Sequence, residues 1–269
     1  MSAGVDVEVL ATGYQLAEAP RVDADGGVWF TDALGGGIHR WSPDGVEVVV
    51  PKRRGVGGLA LHADSGVVCG GRDLRHVRPG EPDRVLWSPP EEVRVINDLC
   101  AIPGGAIVFG VLRFLPFAAE DPVPGEFRHL DADHECIYVT DILWANGCGV
   151  DEARSCIYFC DYANGNVWCR DPEGVRLLAT TPNGHADGLA VDAEGGVWVA
   201  AGDRGSVIRF TPDGALADEV HIGGFVASLA FDGADAMYVT TAAAGGGTEG
   251  SLLRLPAPVP GPRHLLATV

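Results

Sequence analysis

The chain has 269 residues, with 37 acidic against 19 basic side chains and a formal charge of −18 at neutral pH. That excess argues against nucleic acid and anionic membrane surfaces as partners, because both demand a basic face, and it favours small molecules and metal ions. The opening Met1–Asp6 lacks the basic-then-apolar pattern of a secretory signal, and no apolar run approaches transmembrane length, so a cytoplasmic location is expected.

In chain order, a strand-like run at Val5–Leu10 precedes a phrase that returns throughout the sequence. Val22-Asp23-Ala24-Asp25-Gly26-Gly27-Val28-Trp29 reads as a strand end, a turn and a new strand, and it comes back as Val191-Asp192-Ala193-Glu194-Gly195-Gly196-Val197-Trp198. Weaker copies begin at Leu61, Ala101, Val150 and Phe231, which puts the anchor at positions 23, 62, 102, 151, 192 and 232, at intervals of 39, 40, 49, 41 and 40 residues. Inside each copy, runs rich in Val, Ile, Trp and Tyr alternate with turn residues, as in Gly37–Trp41 before Ser42-Pro43-Asp44-Gly45 and Val207–Phe210 before Thr211-Pro212-Asp213-Gly214. No long stretch follows a period of 3.6. About 40 residues hold four short strands and their turns, which is one propeller blade. The expected fold class is therefore all-β: one six-bladed β-propeller domain over 1–269, with four-stranded antiparallel blades around a central metal-binding channel. Val5–Leu10 is placed to complete the last blade beside Ser251–Leu255 and so lock the ends together. The long third interval predicts an insertion over 113–129, carrying Phe114, Leu115, Phe117 and Phe127, as a loop or lid over one end of the ring.

Five residues before each anchor stand Glu18, Gly57, Asn97, Asn146, Asp187 and Ala227. Inner strands line a propeller's channel, so equivalent positions form a ring facing the axis. Two carboxylates and two amides offer oxygen donors, the ligands of a hard divalent cation, with Ca²⁺ first and Mg²⁺, Mn²⁺ or Zn²⁺ as alternatives. Without a cation, two carboxylates converging on a narrow channel repel and lose solvation. The competing reading of these four is turn and cap residues at blade entrances. Gly57 and Ala227 leave space for substrate, and Asp98, next to Asn97, joins the site or holds a ligand. Two residues before the ring lie Leu16, Gly55, Val95, Trp144, His185 and Phe225, a mainly apolar set that ordinary blade packing also explains. His185 is the imidazole of that set and a candidate acid or base, against a purely structural role. The other histidines, His129 and His134 among them, show no mutual ligand spacing. Seven cysteines without a C-x-x-C pair read as reduced core residues, with a zinc or disulfide role between 136 and 169 as the alternative.

At Glu18-Ala19-Pro20, Asn97-Asp98, Asn146-Gly147 with Tyr158-Phe159-Cys160-Asp161, and Asp187-Gly188-Leu189-Ala190-Val191-Asp192 with Gly195-Gly196-Val197-Trp198, the chain resembles the senescence-marker-protein, gluconolactonase and luciferin-regenerating-enzyme family, and more distantly the diisopropyl-fluorophosphatase and paraoxonase propellers. The resemblance covers nearly the whole chain. It implies a six-bladed propeller with one catalytic divalent ion held by Glu18, Asn146 and Asp187, with Asn97 as ligand or substrate contact and Asp187 as general base or nucleophile in lactone or ester hydrolysis.

The chain departs from that family at Val95, where sugar-lactone members carry arginine; Arg94, one residue away, is on the opposite face by strand alternation. Leu16, Val95, Trp144 and Phe225, with Asp98 and His185, are thus the expected substrate contacts, and they suit a lactone or ester more apolar than a sugar lactone. A monomer or small homo-oligomer acting on a small molecule is expected. The competing functions are a metal-dependent lyase, cyclase, isomerase or carbon–carbon bond-cleaving enzyme, and a non-catalytic ligand-binding propeller with structural Ca²⁺.

Overall fold

The computed structural model describes residues 6–269 apart from positions 119, 183 and 248. Six four-stranded antiparallel sheets stand around an axis. The innermost strands are β2 (Ala17–Val22), β6 (Leu59–Leu61), β10 (Val95–Ala101), β14 (Ala145–Asp151), β18 (Leu189–Val191) and β22 (Phe225–Phe231). Each packs against the next and β2 against β22, which closes the ring. The last blade borrows its outer strand from the other end of the chain: β1 (Glu8–Tyr14) pairs with β24 (Gly250–Pro256), from Glu8 opposite Arg254 to Tyr14 opposite Gly250. The closure is the one the sequence suggested; of the expected run Val5–Leu10, Val5 lies outside the described residues, and the strand begins at Glu8 and runs on to Tyr14. The shift follows from register, since Leu10 and Ala11 then face the apolar cluster of Phe30, Tyr238 and Leu252.

The core is divided among blade interfaces. Each of the six contacts between adjacent blades has its own apolar cluster; Trp198, Val226, Phe231 and Leu253 belong to the one between the fifth and sixth, and Phe127, Phe159 and Val139 to the one between the third and fourth. At about 1.5–3 kcal/mol per fully buried large side chain, these walls supply the main favourable term for closure.

The recurring phrase has a local cause. Asp192 Oδ1 accepts the Gly196 backbone N–H at 2.8 Å, and its Oδ2 accepts Trp198 Nε1 at 2.8 Å and Arg209 Nε at 2.6 Å. Asp23 does the same with Gly27, Trp29 and Arg40. One carboxylate thus fixes the turn, an indole and a guanidinium, which ties the sequence spacing to the strand spacing.

The insertion is shorter than 113–129. Strand β11 (Ile107–Leu112) is followed by a loop over 113–124, and β12 (Gly125–Leu130) already contains Phe127 and His129, with Phe127 fully buried between blades. Beyond β24, the segment 257–269 crosses the far end of the channel: Ala193 N donates to Pro260 O, Ala267 exchanges backbone hydrogen bonds with Leu61 and Ala63, and Thr268 N donates to Gly105 O.

Candidate active site

Ring side chains reach the axis because the ladder breaks under them. The pairing of each of the four longer inner strands with its neighbour skips residues at the ring position: between Glu18 and Arg21, Ile96 and Leu99, Ala145 and Cys148, and Val226 and Ser228. Such bulges re-aim a side chain next to a site. Ala19, directly after Glu18, takes φ = 50°, a left-handed conformation that costs a non-glycine residue about 1 kcal/mol or more. In the second and fifth blades the inner strand starts two residues after Gly57 and Asp187, so these sit in the approach to the strand. Backbone hydrogen bonds from Gly147 N to Asp187 O and from Gly188 N to Ala227 O then tie three consecutive blades together at the ring.

Glu18 and Asp187 are buried, at 8% and 3% exposure, and neither has an ion-pair partner among the described residues. Burial pushes the Glu18 carboxyl well above the usual carboxylate range, and Asp187 and Asp98 push it further. Asp187 is raised likewise by burial and then by Asp98, against a side-chain hydrogen bond from Asn146. Asp187 Oδ1 is buried with no hydrogen-bond partner among the described residues. The Asn97 amide nitrogen donates to Ala145 O at 2.9 Å, which leaves the Asn97 Oδ1 toward the channel, where a Cβ at Gly57 would land on it. With its nitrogen engaged, Asn97 offers its carbonyl oxygen. Two buried carboxylates without cationic partners among the described residues, the Asn97 oxygen and the Asn146 amide on the same cavity make a donor set that fits a hard divalent cation.

Above the ring lies a cavity of about 970 Å³. Glu18, Asn97, Asn146 and Asp187 all face it, as do Leu16, Val95, Trp144 and Phe225 of the second set. Leu115–Ala118 of the 113–124 loop complete the wall. Buried Phe114 meets Trp144 edge-on at 5.1 Å and anchors this loop, while Arg94 reaches Glu120 at 3.5 Å on the outside. A second device holds the wall from below. Asp32 accepts the N–H groups of Gln15 and Leu16, and Asp161 those of Leu143 and Trp144, which pins the loops that enter β2 and β14.

Asp98 and His185 do not face the cavity. Asp98 turns to the opposite side of its bulge, 3.5 Å from Arg21, with Leu99 N donating to it at 2.7 Å; burial raises its pKa to about 6 despite Arg21. His185 stacks on Tyr162 with ring centres 4.3 Å apart, and its Nδ1 lies 3.1 Å from Tyr162 O. A carbonyl only accepts, so Nδ1 carries the proton. Sequence reasoning missed Tyr162 and Asp203, both on the cavity wall. Tyr162 follows Asp161 as Ala33 follows Asp32, and that internal equivalence is the signal that marks it. Burial, then Asp187, Asp203 and Glu18, raise the Tyr162 phenol, so it stays a neutral donor.

Comparison with known proteins agrees with this architecture. The family profile described as the SMP-30/Gluconolactonase/LRE-like region matches residues 16–243. L-arabinolactonase of Azospirillum brasilense is 31% identical over 257 residues, covering 86% of this chain and 84% of the relative. Pentonolactonase XacC of Haloferax volcanii is 28% identical, covering 90% and 86%. Among solved structures, a luciferin-regenerating enzyme superposes with a TM-score of 0.85 at 23% identity over 99% of this chain and 100% of that one. Regucalcin from Agrobacterium tumefaciens, described as a calcium-binding protein, gives 0.85 at 22% identity over 99% and 98%.

Proposed function

The chain belongs to the SMP-30/gluconolactonase/LRE-like family, and from that premise we propose that it is a divalent-metal-dependent lactonase, with Ca²⁺ held by Glu18, Asn97, Asn146 and Asp187 and a substrate more apolar than a sugar lactone. The observation that carries this reading is Asp187: a buried carboxylate at the base of a large cavity, with Oδ1 unpartnered and no cationic side chain against it among the described residues. Relatives named lactonases support the reaction class, and the relative described as calcium-binding supports the ion.

A divalent cation bound there supplies Lewis-acid polarisation of the lactone carbonyl and a lowered pKa for water. The chain's own groups do the rest. Asp187, whose Oδ1 has no hydrogen-bond partner among the described residues, takes the proton of the attacking water and returns it to the departing ring oxygen. The neutral Tyr162 hydroxyl donates to a substrate oxygen at the wall. His185 touches no substrate in this scheme; it is a positioning residue that fixes Tyr162 through stacking and the Nδ1–H bond. Leu16, Val95, Phe225 and Leu115–Ala118 of the 113–124 loop exclude water and offer no side-chain hydrogen bonds, and the Trp144 indole adds a single donor, fewer than a polyhydroxylated ring needs.

The test is hydrolysis of a matched panel of apolar and sugar lactones in isotope-labelled water. One solvent oxygen in the new carboxylate, with higher kcat/KM for the apolar members, is the expected result. Turnover without solvent oxygen in the product would assign a different metal-assisted reaction. No turnover of any lactone by the Ca²⁺-loaded protein would overturn the reading.

A further inference from the structure

We propose that His129, His134 and Cys136 form a second metal site, for Zn²⁺ or a similar late transition-metal ion, on the outer edge of the third blade. His129 lies near the end of β12, and Cys136 on β13 (Glu135–Ile142) is its direct cross-strand partner. His134 stands in the connecting turn, two residues before Cys136, with its ring centre 5.9 Å from that of His129. One ligand atom from each residue lies within 4.8 Å of the others. Bond lengths of about 2.0–2.3 Å to a tetrahedral ion ask for ligand atoms roughly 3.5 Å apart, so side-chain rotation of about an ångström completes the set.

The turn is built to hold it. Asp131 accepts the N–H groups of Asp133 and His134, both at 2.9 Å, and contacts His134 Nδ1 at 2.9 Å. A carboxylate on Nδ1–H fixes the tautomer and frees Nε2 for a metal, the usual outer support of a metal-bound imidazole. His129 is in turn stacked on Tyr138 at 6.0 Å. Glu135 is drawn away from the group by Arg128 at 2.7 Å, and Arg170 is held over Tyr138. Two imidazoles and a thiolate select borderline and soft ions over Ca²⁺ and Mg²⁺, the reverse of the oxygen ring in the channel. Three protein ligands leave the fourth tetrahedral position to water. The site lies at the opposite end of β12 from the 113–124 loop, so it is separate from the cavity.

Co²⁺ titration of the full chain, with Ca²⁺ first added to fill the channel, distinguishes the two sites because only a sulfur ligand gives thiolate-to-Co²⁺ charge-transfer absorption. The expected result is one such centre per chain, displaced by Zn²⁺ and absent in Cys136→Ser, with Ca²⁺ binding retained. His129→Ala and His134→Ala should weaken Co²⁺ by at least tenfold, and Asp131→Asn by roughly 10- to 100-fold. Cys136 and His134 are exposed, so Cys136→Ser and His134→Ala are expected to leave the fold intact. Wild-type protein without the absorption at saturating Co²⁺ would overturn the proposal. So would absorption that survives in Cys136→Ser, which would assign it to buried Cys156 and Cys169.

Discussion

The two ends of the central channel treat buried charge in opposite ways. At the mouth, Glu18 and Asp187 converge under a cavity of about 970 Å³ with no ion-pair partner among the described residues. At the far end, Arg21 is 3.5 Å from Asp98 and donates to Leu99 O, and residues 262–265 of the C-terminal segment leave only about 90 Å³. His264 sits there with Nε2 buried and unpartnered among the described residues, and burial pushes its pKa down to about 3, so it closes the channel as a neutral ring. The same fold therefore pairs its charges at the closed end and leaves them unpaired, among the described residues, where the cavity opens. Unpaired buried carboxylates beside such well-paired neighbours mark a candidate site.

The largest effect should come from the open end. Asp187→Ala is expected to lower kcat/KM for a lactone by about 10³-fold or more, roughly 4 kcal/mol of transition-state stabilisation, without unfolding the chelated protein. Steady-state kinetics and thermal melts of the variant check both halves. At the closed end the balance reverses. Arg21→Met strands Asp98 as a buried, unpaired carboxylate and should cost about 3 kcal/mol of stability by urea denaturation, most of it recovered in the double variant with Asp98→Asn. Equal loss in the single and double variants would mean that the ion pair is not what closes that end.

A smaller effect sharpens the description of the mouth. Val95→Arg puts a cationic donor into an apolar wall and should shift relative kcat/KM toward sugar lactones by about tenfold, roughly 1.4 kcal/mol, in competition assays. The smallest is a pH dependence. Burial raises the carboxyls of Glu18, Asp187 and Asp98, the last to about 6, above their ordinary values. Their contribution to stability is complete below those ordinary values and is lost as pH rises, for Asp98 through about 6. Melting temperature of the chelated protein should thus fall by a few degrees as pH is raised from about 4.5 to about 7.5, while Ca²⁺ flattens the dependence. A profile unchanged by Ca²⁺ would separate the carboxylates from the ion.

Much of this was legible in the sequence because a single structural device, the Asp–turn–Trp–Arg lock of Asp23 and Asp192, repeats with the blades and carries the ring register with it. Counting back five residues therefore picks out Glu18, Asn97, Asn146 and Asp187, all of which line the cavity. Alternation along a strand is what failed. It assigned His185 to the wall, but the fifth inner strand starts only at Leu189, so His185 lies in a loop where period two has no force. Asp98 falls inside a bulge and turns to the far side. The insertion was drawn too long because Phe127 reads as apolar loop when its neighbours are unknown, whereas Phe159 at 4.7 Å shows it to be core. The 257–269 segment repeats nothing, and the cross-strand pairing of His129 with Cys136 exists only in the register.

Ca²⁺ binding by calorimetry, on wild-type and Asp187→Ala protein and paired with lactone turnover before and after chelation, tests the metal-centred account most directly. The account predicts one Ca²⁺ in the channel of the wild type, loss of that binding with Asp187, and turnover that disappears on chelation and returns with the ion. Undiminished hydrolysis by the chelated protein, or a wild type that binds neither Ca²⁺ nor Mg²⁺ nor Mn²⁺ in the channel, would contradict it.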